Sequence, residues 1–314
     1  MKYINQLREG ENVSEIYFCK TKVVAKTKAG KSYYSLTLQD KTGTLDGKVW
    51  DLSSGIDHFE PMDYIAVDGQ VTSFNDALQL NIRRIRRARE GEYLEQDYLP
   101  CSPNDANEMW ADLTALVSSV KNPSLNKLLS LFFVEDAEMI KKFRKHSAAK
   151  SVHHGFVGGL LHHSLSVAKL CDFYSAQYPV LNRDLLITAA LLHDIGKVDE
   201  ISDFPENDYT DEGQLVGHIV MGAMMLKDRI KTIPGFPKKL EDELIHCILS
   251  HHGELEYGSP KKPAIIEAVA LSFADNLDAK LETFTELLQQ SEAQGLSGWL
   301  GFNRLLDSNV KKTE

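Results

Sequence analysis

The stretch "ITAALLHDIGKVDEIS", residues 187–202, places three ionisable side chains directly after an apolar run that is typical of a buried helix. They are His193, Asp194 and Lys197. Burying such groups without partners costs several kcal/mol or shifts their pKa values until the charge is lost, so the fold must supply partners for them. A bound metal ion is one partner that would serve.

The composition is that of an ordinary globular protein with room for two domains. Its 314 residues are 43% hydrophobic and 25% charged. The first residues, "MKYINQLREGENV", contain no apolar signal-peptide core, and no window approaches the ~18 to 20 apolar residues of a membrane-spanning helix. The four cysteines form no Cys-x-x-Cys pair, which argues against a zinc ribbon or a disulfide framework. We therefore expect a cytoplasmic protein with no membrane segment and with reduced cysteines.

The charge is distributed unevenly along the chain. Residues 1–92 contain 14 Lys+Arg and 13 Asp+Glu, whereas the remaining residues contain 21 and 32. The overall charge of -10 argues against a protein that coats nucleic acid by bulk electrostatics. The asymmetry indicates two parts with different roles.

Residues 1–92 read as short strands. In "KSYYSLTLQD", residues 31–40, the side chains alternate with a period of two, and turn signals follow at Lys41-Thr42-Gly43. About five such segments in fewer than a hundred residues predict a small closed barrel. The order of the segments resembles an OB-fold of the nucleic-acid-binding type.

This part offers side chains of the kind that bind single strands. Such proteins combine aromatic faces for base stacking with a positive groove for the backbone. The candidate nucleic-acid-binding residues are Tyr33, Tyr34, Trp50, Phe74, Arg83, Arg84, Arg86 and Arg87. The alternative is that the aromatic residues form the barrel core and that the arginines lie on a solvated strand edge.

The rest of the chain reads as helical. Residues 93–104 have linker composition, residues 105–150 predict a helical connector, residues 151–290 a helical domain, and residues 291–314 a C-terminal tail. The fold class predicted is therefore a small β-barrel followed by an all-α domain. In the tail, Trp299 and Phe302 either cover the helical core or serve a subunit contact, in which case the protein is a homo-oligomer.

Histidines and acids recur on the apolar helices of this second part. Neutral imidazole and carboxylate are ligands for Mn²⁺, Fe²⁺, Co²⁺ and Zn²⁺. No cysteine belongs to this set of residues, which disfavours a closed structural zinc site. We expect a catalytic metal site with open positions. The ordered candidate ligands are His163, His193, Asp194, His218, His251, His252 and Asp275.

This ordered series resembles the HD superfamily of metal-dependent phosphohydrolases. The resemblance implies that one metal is held by His163, His193, Asp194 and Asp275. It implies a second metal, bridged by Asp194, at His218 and at His251 or His252. Two ions are therefore expected, with Mn²⁺ the favoured ion and Co²⁺, Fe²⁺ or Zn²⁺ as alternatives.

Two residues of the series are expected to act in catalysis. Asp194 would be ionised and bridge the metals, and Lys197, one helical turn beyond His193, would contact a phosphate oxygen. The alternative for Lys197 is a cation that interacts with the helix dipole. Adjacent helical residues point about 100° apart, so only one of His162 and His163 can face a given metal. The resemblance of "GGLLHHSLSVA" to the superfamily favours His163, and His153, His154 and His162 are expected at the pocket rim.

An OB-like module followed by "HHGFVGGLLHH", "LLHDIGKV", "LSHHGELEYGSP" and "ADNLDAK" resembles the YhaM-type 3′-5′ exoribonucleases over nearly the whole chain. The resemblance implies hydrolysis of single-stranded RNA, and often single-stranded DNA, from the 3′ end to nucleoside 5′-monophosphates. Two alternatives remain. One is an HD phosphohydrolase of small or cyclic nucleotides. The other is a nucleic-acid-binding regulator with an inactive HD site.

Overall fold

The chain divides into two compact units, Met1–Cys101 and Ser102–Glu314. The structure is a computed structural model that describes residues 1–75, 77–99, 102, 104–150, 155–293 and 295–313. The predicted class, a β-barrel followed by a helical domain, is confirmed.

The first unit is a five-stranded barrel. Its strands are β1 (Asn12–Lys26), β2 (Ser32–Asp40), β3 (Gly43–Val49), β4 (Tyr64–Phe74) and β5 (Ala77–Arg87). They close in the order β1-β2-β3-β5-β4, with β3 and β5 parallel and the other pairs antiparallel. This is a Greek-key barrel of the OB type. Because side chains alternate along a strand, Leu36 and Leu38 point into the barrel and are buried, while Ser35 and Thr37 point outward and stay partly exposed.

The barrel unit extends further than the predicted boundary at residue 92. Tyr93 stacks on Tyr64 at 3.9 Å between ring centroids, and Tyr98 meets the same ring edge-on at 5.2 Å. Tyr98 is buried beside Phe18, so the first residues of the predicted 93–104 linker belong to a small aromatic cluster on the barrel. Burial of these rings accounts for the longer unit.

The second unit is helical. Its helices are α1 (Ala106–Ser119), α2 (Pro123–Phe133), α3 (Ala137–Lys145), α4 (Gly159–Gln177), α5 (Arg183–Leu192), α6 (Lys197–Glu200), α7 (Asp211–Val216), α8 (His218–Lys231), α9 (Lys238–Ser250) and α10 (Ile266–Ala293). Leu113, Phe132 and Phe143 share one core with Leu186 and Leu271. The predicted connector 105–150 is therefore part of the helical core.

The predicted C-terminal tail contains a β-hairpin, formed by β6 (Trp299–Asn303) and β7 (Ser308–Lys311). Trp299 and Phe302 are 68% and 60% exposed, so they do not cover the helical core. A homo-oligomer stays a prediction, as does the cytoplasmic location. Among the described residues, no helix is both long and apolar enough to cross a membrane.

Candidate metal centre

Five elements of the helical unit bring the predicted ligands together. His163 lies on α4, His193 and Asp194 directly follow α5, His218 begins α8, His251 and His252 follow α9, and Asp275 lies on α10. His163 Nε2 is 3.1 Å from both His193 Nε2 and Asp275 Oδ1. Side chains far apart in the sequence thus meet within a buried volume.

Asp194 lies in the middle of the cluster, and its two carboxylate oxygens face different histidines. Oδ2 is 3.4 Å from Nε2 of both His163 and His193. Oδ1 is 3.5 Å from Nε2 of both His218 and His251. A single carboxylate therefore faces two separate groups of imidazole nitrogens.

Helix ends set the orientation of two of these rings. His193 Nδ1 donates to the Ala190 carbonyl at 2.8 Å, and His251 Nδ1 donates to the Ile248 carbonyl at 2.7 Å. Each histidine directly follows its helix and pairs with one of the carbonyls that the helix leaves without an internal partner. A ring nitrogen that faces a carbonyl carries the proton, so Nε2 presents its lone pair to the cluster.

Two carboxylates that the sequence analysis did not single out orient two further rings. Asp278 Oδ2 lies 2.7 Å from His163 Nδ1, and Glu200 Oε1 lies 2.9 Å from His218 Nδ1. Outer carboxylates of this kind fix the orientation of ligand histidines in metal sites. A signal for Asp278 was present, since it follows Asp275 by three residues and therefore shares its helix face. Glu200, beyond the end of "HDIGK", carried no such signal.

The side chains fit divalent cations. Among the described residues, Asp194 Oδ1, His218 Nε2 and His251 Nε2 are buried without a hydrogen-bond partner, although such atoms are normally paired. One cation near these three atoms would satisfy all of them. Ligand atoms lie within 4.8 Å of one another in two further groups, His163 with His193 and Asp275, and His218 with His251 and His252. This donor set suits Mn²⁺, Fe²⁺, Co²⁺ or Zn²⁺.

The electrostatics keep Asp194 ionised. Burial alone would raise the pKa of Asp194, but Lys197 and His193 hold it well below its usual value. Lys197 Nζ lies 2.7 Å from Asp194 Oδ2, and although burial opposes the charge on Lys197, this carboxylate raises the pKa of the ammonium. Lys197 thus faces the cluster, and its charge is paired with the Asp194 carboxylate.

The carboxylates and burial act differently on two of the histidines. Burial would lower the pKa of His163, but Asp275 and Asp278 outweigh it and raise the pKa to about 10. Burial lowers the pKa of His251, which keeps that ring in the neutral form that binds metals.

Gly196 in "HDIGK" allows α8 to approach this cluster. A Cβ added at Gly196 would overlap the carbonyl oxygen of His218 and come within 2.6 Å of the Gly222 backbone nitrogen. Only a residue without a side chain permits this contact. The close packing brings His218, the first residue of α8, within reach of Asp194.

The predicted rim residues have different positions. His162 points away from the cluster and lies 3.0 Å from the Asn104 side chain and 3.4 Å from Ser102 Oγ, in a separate depression with Lys169. His153 and His154 lie outside the described residues. His252 faces the cavity over the cluster, and its Nδ1 lies 2.9 Å from the Tyr257 carbonyl.

A cavity of about 420 Å³ opens over the cluster. His163, Asp194, Lys197 and Asp275 form its floor side, and α10 forms one wall. The tip of the β6–β7 hairpin contributes Leu305 and Leu306. The cavity thus offers a polar, cation-compatible floor, and the two hairpin leucines add apolar surface to its lining.

The aromatic residues predicted to bind nucleic acid lie partly on the barrel surface and partly against its core. Tyr33 on β2 and Trp50, which directly follows β3, pair with ring centroids 4.5 Å apart, and Trp50 is 43% exposed. Phe74 is 65% exposed at the end of β4. Tyr34 packs against the core residue Phe59, so for this side chain the alternative of a core role applies.

The four arginines are all exposed, but the barrel engages them differently. Arg86 pairs with Glu92 at 2.6 Å and Arg87 with Asp63 at 3.0 Å. Arg84 lines a depression that also contains acidic residues. Arg83 lies 3.5 Å from Gln70 Oε1 and has no ion pair within the described part of the chain.

Comparison with known proteins agrees with this geometry. Residues 160–280 match the model of the HD domain. The 3′-5′ exoribonuclease YhaM of Bacillus subtilis is 35% identical over 90% of this chain and 89% of its own length. The YhaM protein of Geobacillus sp. is 34% identical over 90% of this chain and 86% of its own.

Among solved structures, the second OB-fold domain of replication protein A from Methanococcus maripaludis is 20% identical. It covers 29% of this chain and 96% of its own, with a TM-score of 0.24. The identity and the coverage of the two exoribonucleases, together with the HD match, show that this chain is an HD-domain hydrolase of the YhaM 3′-5′ exoribonuclease family.

Proposed function

We propose that this protein removes nucleotides from the 3′ end of single-stranded RNA by metal-dependent hydrolysis and releases nucleoside 5′-monophosphates. The observation that carries the proposal is the position of Asp194, whose two oxygens face two different pairs of histidines. That arrangement suits two cations that share one carboxylate. The direction of cleavage comes from the relatives, which are named 3′-5′ exoribonucleases.

The two cations would be held by separate sets of ligands. His163, His193, Asp194 and Asp275 would hold one, and Asp194 with His218, His251 and His252 the other. Both histidines of the 251–252 pair belong to the second set, since both approach His218. Mn²⁺ is our choice of ion, because it accepts imidazole and carboxylate together.

The side chains of the site have distinct tasks in this reaction. When bound, two such cations stabilise the attacking and leaving oxygens of a phosphodiester and lower the pKa of bound water. Asp194 holds its charge between the two sets of imidazoles. Lys197 lines the cavity and would donate to a non-bridging phosphate oxygen as negative charge develops there. Asp278 and Glu200 keep two of the rings in place.

The barrel would hold the single strand. The partly exposed Tyr33 on β2 and the exposed Trp50 directly after β3 match the face that OB-folds use for oligonucleotides. Arg83 is the arginine of the predicted set that is best placed for phosphate contact, because Arg86 and Arg87 already have carboxylate partners and Arg84 lines a depression with acidic residues. Single-stranded DNA would be accepted as well, since stacking and backbone contacts do not require the 2′-hydroxyl.

The test is a time course on a 5′-labelled single-stranded RNA with Mn²⁺, resolved on a gel. Asp194→Asn is the inactive variant, and Asp199→Asn, which changes a partly exposed carboxylate five residues away that pairs with Lys142, is the matched control. We expect a ladder that shortens from the 3′ end with wild type and Asp199→Asn, and intact RNA with Asp194→Asn. An RNA with a 3′-phosphate reports whether a free 3′-hydroxyl is required.

Two outcomes would contradict the proposal. If wild type leaves RNA intact while it hydrolyses small nucleotides under the same metals, the protein is a small-nucleotide phosphohydrolase. If it hydrolyses neither but still binds RNA, the regulator with an inactive HD site is the correct function.

A further inference from the structure

A second groove adjoins the cavity over the metal centre. It has a volume of about 580 Å³ and runs between α10 and the segment 252–263. Groove and cavity share His252, Tyr257, Ser272, Asn276 and Lys280, so a ligand can pass from one to the other without leaving the surface. We call this the α10 groove.

We propose that the α10 groove binds the nucleotide that precedes the scissile phosphodiester, with its base stacked on Phe273 and Tyr257. The proposal rests on the function proposed above and names a substrate site for it. Each wall of the groove contributes one aromatic side chain, Phe273 from α10 and Tyr257 from the facing segment. They are 69% and 63% exposed, so both rings leave a face open to a ligand in the groove.

The charges of the groove suit one phosphate. Lys262 is neutralised by Glu254 at 2.5 Å. Lys280 lies where the groove meets the cavity and has no ion pair among the described side chains. Asn276 beside it offers a neutral amide donor. Aromatic faces next to a free cation and an amide are the combination that holds a single strand without reading its sequence.

The positions along α10 assign the two spaces to the two nucleotides. Thr283 and the hairpin residues Leu305 and Leu306 line the cavity but not the α10 groove, whereas the groove extends in the opposite direction along α10, toward Val269. An exonuclease needs a bounded space for the nucleotide that it removes and an open path for the chain that remains. The hairpin side therefore suits the terminal nucleotide, and the groove suits the preceding one.

The test removes the base of the second nucleotide from the 3′ end and the ring of Phe273, first separately and then together. One single-stranded RNA carries normal bases, and a second has an abasic residue as the second nucleotide from the 3′ end. Both are hydrolysed by wild type, Phe273→Ala and Phe273→Leu, and kcat/KM is measured with Mn²⁺. Phe173→Ala is the matched control, since Phe173 is a 60% exposed phenylalanine on α4 that does not line the groove.

We expect the abasic residue to lower kcat/KM of the wild type by roughly 5- to 150-fold, the range that base–aromatic stacking supplies. Phe273→Ala should lose part of that factor on normal RNA, because Tyr257 remains, and the abasic residue should lower kcat/KM of this variant by a smaller factor than it does for the wild type. Phe273→Leu, which keeps an apolar side chain for folding but has no flat face, should show the same pattern. Phe173→Ala should respond as the wild type does.

The proposal would be overturned if the abasic residue lowered kcat/KM of the Phe273 variants by the same factor as that of the wild type. The base and the ring would then act independently. A wild type that leaves both RNAs intact would instead refute the proposed function.

Lys280→Gln gives a second measurement. It should weaken binding of normal RNA and reduce the dependence on salt by about one phosphate contact. An unchanged salt dependence would contradict a phosphate at this end of the groove.

Discussion

Replacing Gly196 with alanine should damage both stability and the metal centre, because the added Cβ has no space. It would lie within 2.6 Å of the Gly222 backbone nitrogen and overlap the His218 carbonyl, whereas ordinary contacts begin at about 3.4 Å. The obstructing atoms are backbone, so α8 as a whole must retreat by about 0.8 Å or more. Overpacking of this kind costs about 1–3 kcal/mol of unfolding free energy.

The same displacement moves a proposed ligand. His218 is the first residue of α8 and retreats with it, by more than the ~0.2 Å within which metal–ligand distances are held. We expect RNA hydrolysis to fall on the order of 100-fold, as for other misplacements of about 1 Å.

The measurements are urea unfolding and kcat/KM on single-stranded RNA with Mn²⁺. Gly222→Ala is the control from the opposite side of the same contact. Its nearest neighbour would be the Gly196 backbone nitrogen at 3.3 Å, so α8 need hardly move. Alanine also favours a helix over glycine by up to ~1 kcal/mol. If Gly196→Ala keeps wild-type stability and activity, or if both variants are equally damaged, the close approach at Gly196 does not have the role described.

Three other predictions concern the metal centre and the barrel. Asp278→Asn should weaken Mn²⁺ binding by about 10- to 100-fold in calorimetric titrations, because the ring of His163 loses its orienting carboxylate; a loss equal to that of Asp199→Asn would contradict this role. Adding Mn²⁺ to chelator-treated protein should raise Tm, with about 2.7 kcal/mol of stabilisation at 100 times Kd; an unchanged Tm would mean that the unpaired buried atoms hold no ion. Trp50→Ala should weaken RNA binding, measured by fluorescence anisotropy in the Asp194→Asn background to prevent hydrolysis, by about 1–3 kcal/mol. Trp299→Ala, on the C-terminal hairpin, is the control. If both variants weaken binding equally, Trp50 is not part of the binding face.

The sequence predicts the architecture well, because the architecture follows from local patterns. The period of two in "YYSLTLQD" indicates a strand that buries Leu36 and Leu38, as the barrel does. The histidines at the ends of apolar helices indicate a shared buried cluster, and the structure brings all seven candidate ligands together there.

The parts that the sequence does not reveal depend on packing between distant elements. His162 and His163 have similar neighbours in the sequence, and the rotation of α4 against α5 and α10 decides which one faces Asp275. Glu200 acquires its contact with His218 only once α8 has packed against the "HDIGK" segment. Tyr98 extends the barrel unit because Phe18 and Tyr64 offer a surface to it, and those residues lie on strands far away in the chain.

The histidine that follows α5 makes the length of that helix a functional constraint. Leu185 through Leu192 are all buried, so apolar substitutions that keep their volume are tolerated there. Deleting one residue, however, would rotate His193 by about 100° around the helix axis and withdraw it by about 1.5 Å. Insertions and deletions in α5, even those that preserve its apolar character, should therefore abolish activity more reliably than substitutions do.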